Sequence, residues 1–411
     1  MIRKFATNSA LVFVDQAIFS GSNFLLTFLL ARQLSLVDFG YYSSVVVATY
    51  LVLSVGSAMI TQPFQIIISK KNANDVKEYY CVLLAALILF IVVFVFFVYT
   101  ICKLPVFFKY QHSFYQEHLS EILFFVAAYV FQDFFRKIAL ATEKIRWVLL
   151  IDLLFLAVFP TILFQKNIGG SSVLSTIGLI NIISTIPFLV VYLKNTKITK
   201  NMFSQLNYHF TEGKWLVSAA VIQWFSGNFF VMVSGLYLGV EALGALRLVQ
   251  SFFGVLNILL QTVENYYLPK TAQLYHINPT KAKNFIFKIA SKGAILFAIV
   301  LLIFFVFSTP LILIIGGEKY SNYGGLVKLV SVLYVFIFLG YPVRIAIRIL
   351  ELNKVFFSGY AISMVVSLLS FHLLMKYIGL YGAVIGLIIN QLTVIFFWKS
   401  QLIKNNFLIW K

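Results

Sequence analysis

Long apolar runs separated by short polar connections fill this chain from end to end. Runs long enough to cross a bilayer fall at 9–30, 43–67, 81–102, 119–142, 147–165, 172–193, 215–238, 242–265, 293–315, 326–350, 356–375 and 380–398. The pattern predicts an all-α polytopic membrane protein with twelve transmembrane helices.

Within the eighth run, residues 247–264 carry a second pattern. Read as one helix, they place Arg247, Gln250, Gly254, Asn257, Gln261 and Glu264 at alternating spacings of three and four, on a single face. At about 1.5 Å rise per residue the stripe is roughly 25 Å long, close to the hydrocarbon thickness. Such a seam is costly against lipid, so it is expected to face a cavity or another helix. Asn and Gln also serve as hydrogen-bonding glue between packed helices, and the pattern by itself is compatible with that role. The first helix has a polar face of its own, with Gln16, Ser20, Asn23 and Thr27 in register and Asp15 beside them. An isolated carboxylate at that depth must be neutral, paired or wetted. Asp15 is therefore a candidate proton or cation site as well as a candidate structural acid.

Composition agrees with the pattern: of 411 residues, 61% are hydrophobic and 11% charged, with a mean hydropathy of +0.93. A soluble domain carries about 25% charge. The net charge of +18 raises the question of nucleic acid, but Lys and Arg stand singly or in small groups between apolar runs. That distribution belongs to membrane topology, and no nucleic-acid partner is expected. With both termini inside, all of the 32 Lys and Arg except Arg32, Lys103, Lys109, Lys166, Arg247, Lys319, Lys328 and Lys376 fall on the cytoplasmic side. The two cysteines, Cys81 and Cys102, lie at opposite ends of one run, too far apart for a disulfide. Arg3 and Lys4 precede the first run as in a signal peptide, but that run is long and lacks a small-residue cleavage site, so it is read as a retained helix.

Connections near 103–118, 194–214 and 266–292 are too short for a soluble domain. No phosphate-cradling G-x-x-x-x-G-K-[ST] sequence occurs, and the five histidines show no metal-ligand spacing. No cofactor or metal is called for, and the chain is not read as an enzyme. A membrane glycosyltransferase or polymerase would need catalytic acids in a sizeable outer loop, where only Glu117 and Glu121 are on offer.

The two halves resemble each other. Phe19-Ser20-Gly21 matches Phe225-Ser226-Gly227, Phe39-Gly40 matches Leu243-Gly244, and Pro63 matches Pro269. Arg136 and Glu143 match Arg344 and Glu351, and Lys166-Asn167-Ile168-Gly169 matches Lys376-Tyr377-Ile378-Gly379. Offsets drift only from about 204 to 210, as expected of a six-helix unit present twice. The expected division is a bundle over 1–194, a cytoplasmic linker over 195–214 and a second bundle over 215–411. Six is even, so the copies enter the membrane in the same sense, and a midplane cleft between them is the expected substrate site.

Arginines suit phosphate recognition, and those along a central cleft would attract a diphosphate. Arg247 heads the polar stripe and is the best placed. Arg32, Arg344 and Arg348 sit at helix ends, where snorkelling to the interface is the simpler account. Arg136 is three residues from Asp133 and is expected to pair with it. Asp152 and Glu264 are positioned to neutralise basic stripes.

The run Phe19-Ser20-Gly21-Ser22-Asn23-Phe24, then Leu30-Ala31-Arg32, then Leu36-Val37-Asp38-Phe39-Gly40-Tyr41, resembles bacterial polysaccharide-unit flippases of the Wzx type. The duplicated layout and the Gly379, Gly382 and Gly386 turn before the last helix are similar to that family as well. The resemblance implies a V-shaped pair of bundles, like that of multidrug extruders and lipid II flippases. It further implies movement of an undecaprenyl-diphosphate-linked oligosaccharide from the cytoplasmic to the outer leaflet of the bacterial inner membrane by alternating access. Arg247, Arg32 and Arg136 would then hold the diphosphate, and Gln250, Asn257, Gln261 and Asn23 would hydrogen-bond sugars. Asp15 or Glu264 would couple an ion, and a polysaccharide polymerase and chain-length proteins would be neighbours. Where lipid II flippases carry first-helix arginines, this chain has Gly21 and Ser22, which favours a surface-polysaccharide unit. The rival reading on the same architecture is a cation-coupled exporter of small amphipathic compounds, with its site on Asp15 or Glu264.

Overall fold

The computed structural model describes residues 2–68, 73–103, 113–164, 169–197, 201–262 and 267–407. Every regular element among them is helical. This is the solution an apolar solvent enforces, because each peptide group must find its partner within its own segment.

In chain order the helices are α1 (Ile2–Gln33), α2 (Leu36–Gly56), α3 (Gln62–Ile68), α4 (Ala73–Cys102), α5 (Phe114–Glu117), α6 (Leu119–Ala141), α7 (Ile145–Val158) and α8 (Gly170–Lys194). They continue with α9 (Met202–Leu238), α10 (Val240–Phe252), α11 (Gly254–Thr262), α12 (Leu268–Ile277), α13 (Pro279–Val306), α14 (Ser308–Gly316), α15 (Gly324–Ile349), α16 (Asn353–Ile378) and α17 (Leu380–Lys404). Among the described residues ten helical stretches are long and apolar enough to cross a membrane. The pair α10 and α11, bent by 51°, makes an eleventh. The fourth expected span is present as the 23-residue α6, but Asp133, Arg136 and Lys137 dilute its hydropathy.

One expectation is corrected here. The polar stripe of the eighth run is not one continuous face, because the helix stops at Phe253 and restarts at Gly254 in a new direction. Within 195–214, α9 begins at Met202 and continues without a break into the next span.

The chain forms two compact units, Met1–Leu26 with Val45–Val221, and Thr27–Ser44 with Ile222–Lys411. In the first, α6 packs along α8, and an aromatic core gathers Phe134, Phe135 and Tyr192, with Phe135 5.2 Å from Tyr192 by ring centroids. In the second, α15, α16 and α17 enclose a core of Ile286, Val343, Ala346, Val394 and Trp398.

A five-residue π-helical turn, Ser57–Thr61, joins α2 to α3. Pro63 follows it and has no N–H to offer the Met59 carbonyl four residues back, so the helix widens there. The first turns of α9 lie against this turn: a Cβ on Gly213 would meet the carbonyl oxygens of Ala58 and Met59, both at 3.2 Å. One helical turn earlier, His209 is fully buried, with Nδ1 2.6 Å from the Tyr79 hydroxyl. Burial holds its imidazole down, to a pKa of about 4, against a smaller opposing pull from the Met59 and Ile60 peptides.

In the second unit the segment Thr27–Ser44 is clasped by the later chain. Arg32 donates through Nε and Nη2 to the Ile314 carbonyl at 3.1 and 2.6 Å, while Lys319 donates back to the carbonyls of Arg32 and Leu34. Phe39 is fully buried edge-on to Tyr320. Beside it Gly40 meets Gly244, its counterpart in the repeat: a Cβ on Gly40 would stand 2.3 Å from the Val240 carbonyl oxygen, and one on Gly244 2.9 Å from the Gly40 Cα.

Gly40→Ala is therefore expected to force backbone apart and cost about 1–3 kcal/mol, whereas Gly21→Ala, with nothing within 4 Å, is tolerated. Thermal unfolding of the two variants in detergent checks the contrast. For His209, an unfolded pKa near 6.5 and a folded value of about 4 mean that the unfolded chain binds the extra proton between those limits. Stability is thus expected to fall as pH drops from about 6.5 towards 4, by an amount on the order of 3 kcal/mol. His209→Phe should flatten this dependence in unfolding scans across that window.

Candidate functional site

Polar clusters lie among the membrane helices of both units. The first is built on α6, where successive turns of one face carry Gln132 and Arg136. Arg136 is buried, and its guanidinium bridges two carboxylates from other helices. Nη2 donates to Asp15 Oδ2 of α1 at 2.6 Å, and Nε donates to Asp152 of α7, 3.2 Å from Oδ1 and 3.1 Å from Oδ2. The Phe19 ring, one turn along α1 from Asp15, covers the guanidinium at 4.1 Å, which suits a cation in a low-dielectric site. Both carboxylates are almost wholly buried.

Polar side chains surround this triad. Gln132 donates to Ser184 at 3.2 Å, and the Tyr129 hydroxyl donates to Asn23 Oδ1 at 3.1 Å. Phe19, Ser22, Asn23, Tyr129, Gln132, Asp152 and Phe155 line a cavity of about 10 Å³, room for one water. Asp15 Oδ1 and both amide atoms of the fully buried Asn181 have no hydrogen-bond partner among the described residues. Two acids against one guanidinium make the charge of the cluster depend on a single proton or small cation.

Several expected residues thus meet in one unit: Asp15, Asn23 and Arg136. Arg136 is engaged with acids, however, and its pairing with Asp133 is not formed. Asp133 instead accepts from Lys137, one turn away, at 2.7 Å. Asp152, expected with Glu264 to neutralise basic residues, pairs with Arg136 alongside Asp15. Gln132 and Ser184 are not among the sequence-predicted residues, although Gln132 stands one turn from Arg136 on the same face of α6.

The second region is the bent span. Arg247 is half-buried on α10 and donates through Nη1 to Gln250 Oε1 at 3.2 Å. Beyond the bend Asn257 is exposed on α11. At the bend itself Phe253 is fully buried and stacks on Tyr334 of α15 at 4.6 Å. Gln261 falls within α11, but its side chain lies outside the described residues, as does Glu264 altogether. Arg32 is exposed and bound to the Ile314 carbonyl.

The repeat is chemically asymmetric. Where the first copy has Asp15, the second has Val221 at the matching offset, and α16 contains no acid at all. Arg344, the counterpart of Arg136, lies 5.8 Å from the rings of both Tyr341 and Phe356. Hydroxyls and an amide take the charged cluster's place: Ser226 meets Ser363 at 2.9 Å and Asn390 Oδ1 at 3.2 Å, and Asn390 donates to Ser367 at 3.0 Å. No group of three His, Cys, Asp or Glu among the described residues is gathered to hold a metal ion.

No known family profile matches the sequence, and no curated protein matches it. Solved structures do match the fold along its whole length. An inward-facing multidrug resistance MATE family transporter of the MOP superfamily superposes with a TM-score of 0.69 at 12% identity, covering 97% of this chain and 94% of that one. This chain has the MOP-superfamily fold. The lipid II flippase MurJ, in an inward closed conformation, gives a TM-score of 0.69 at 12% identity over 97% of this chain and 87% of its own. A MOP-superfamily transporter from Pyrococcus furiosus, described by a reversed polarity of its binding pocket, gives 0.62 at 14% identity, covering 97% and 95%. At such identities the MOP fold is what is shared, and the charged triad of α1, α6 and α7 has to be read from this chain's own residues.

Removing Arg136 would leave two buried carboxylates facing each other without a cation. Arg136→Met is expected to destabilise by about 3–5 kcal/mol, and adding Asp15→Asn with Asp152→Asn to recover most of that loss. Thermal unfolding of the single and triple variants measures it; an unchanged midpoint for Arg136→Met would remove the triad from the account of stability.

Proposed function

We propose that this chain is a flippase that carries an undecaprenyl-diphosphate-linked oligosaccharide from the cytoplasmic to the outer leaflet for surface-polysaccharide synthesis. The observation that carries the reading is the broken span: α10 and α11 meet at 51° with Arg247 and Gln250 before the bend and Asn257 after it. A helix interrupted at membrane depth is tolerated where it lines a polar cavity, and broken helices are where transporters hold charged substrates. Arg247 brings a guanidinium suited to a diphosphate, with amides from Gln250 and Asn257 at hand for sugar hydroxyls. Arg136 takes no part in this binding, because its donors are turned to Asp15 and Asp152. The triad serves instead as the coupling element: uptake or release of one proton or cation changes its net charge and the balance between its three helices.

A second reading shares the fold. The acid-rich triad also suits a cation-coupled exporter of small amphipathic compounds, in which Asp15 and Asp152 would carry the coupling ion and Arg247 would be dispensable.

Complementation of a flippase-deleted host separates the two. Arg247→Ala is expected to lower surface polysaccharide at least tenfold, since truncating one charged contact to a diphosphate costs about 1.5–3 kcal/mol, with Arg247→Lys intermediate. Full complementation by Arg247→Ala, or a drug-resistance phenotype that depends on Asp15 alone, would overturn the flippase reading.

A further inference from the structure

Helix α13 changes chemistry along one exposed face. Lys281, Lys288 and Lys292 lie on that face, and the same register continues through Ile295, Ile299, Leu302 and Val306, all of them exposed. The opposite face, with Ala282, Ile286, Phe297 and Leu301, is buried. The helix has 28 residues, about 42 Å of rise, whereas the hydrocarbon core needs only about 30 Å. Ile295 is 67% exposed and Leu302 63%, so this part of the stripe is the surface that meets acyl chains. The lysines on the same face, about one to four turns earlier, therefore stand at and beyond headgroup depth.

The neighbouring helix sharpens the patch. Asn278 caps α13, its Oδ1 accepting from the Thr280 and Lys281 amides at 2.8 and 3.3 Å, and so fixes the turn from α12. Lys270 of α12 is held over the Phe285 ring at 5.3 Å, while Ile277 and Phe287 are left exposed beside the lysines. No Asp or Glu occurs between Glu264 and Glu318, so this stretch contains no acid to neutralise its own lysines. Cationic tips flanked by exposed apolar side chains, on a face continuous with the acyl-contacting surface, are the chemistry of an anionic lipid interface.

We propose that the exposed face of α13 over Lys281, Lys288 and Lys292, with α12 beside it, binds the headgroup phosphates of anionic phospholipids. The site is separate from the broken span and does not depend on what the protein transports. Purified full-length protein, titrated with phosphatidylglycerol or phosphatidylcholine and read by native mass spectrometry, tests it. Wild type should retain phosphatidylglycerol preferentially, and the preference should weaken with salt. Each replacement among K281Q, K288Q and K292Q should reduce it roughly fivefold, while the matching arginine variants keep it and control for folding. Equal retention of the two lipids would overturn the proposal. So would a triple glutamine variant that is folded by circular dichroism and still prefers phosphatidylglycerol, the outcome expected if these lysines serve a soluble acidic partner.

Discussion

Burying a guanidinium among membrane helices is affordable only when its charge and its donors are both met, and Arg136 meets that condition through two acids that lie far from it in sequence. Asp15 comes from α1 and Asp152 from α7, so one side chain ties three helices of the first unit at a single depth. The constraint acts on position more than on net stability, because the desolvation of three charged groups offsets much of their attraction. It explains why the surrounding residues are what they are. Phe19 covers the exposed face of the cation, Gln132 is occupied by Ser184, and Asn23 accepts from Tyr129. What remains unmatched is one oxygen of Asp15, the Asn181 amide and a space for one water beside Asp152.

The second copy shows what the same layout does without that constraint. Its polar centre is neutral, built from Ser226, Ser363, Ser367 and Asn390. The two similar frames therefore differ in charge: one holds two acids and a guanidinium, the other only hydroxyls and an amide. The second unit is distinguished by a break in a helix, and the basic residue at that break has a neutral amide as its neighbour.

Much of the architecture was legible because membrane helices announce themselves by length and hydropathy. The fourth span, α6, was found by its apolar run although its charges disguise it. Their pairing differs from the expected one: Asp133 is the nearer acid in sequence, yet it lies on another face of α6, beside Ser57 and Thr61, and meets Lys137. Spacing along one helix reports only neighbours on that helix, and Arg136 finds its partners across helices. The polar stripe from Arg247 to Glu264 rests on the geometry of one straight helix, and the helix is interrupted at Phe253. Nothing in Phe253-Gly254 as a dipeptide dictates a 51° bend, and the stacking of the Phe253 ring on Tyr334 at that point is a contact between helices that spacing along one helix does not report. The π-helical turn was hidden for the same reason, since Pro63 signals a disturbance without saying whether the helix kinks, stops or widens.

The clasped segment Thr27–Ser44 has a further implication. It belongs to the first copy by ancestry and to the second unit by packing, with Gly40 set against Gly244 and Arg32 and Lys319 exchanging bonds to each other's helix ends. A gene cut between the copies would therefore yield a C-terminal fragment stripped of part of its own interior. Such a fragment would leave uncovered the Ile314 carbonyl, Tyr320 and Gly244, the partners that Arg32, Phe39 and Gly40 now meet.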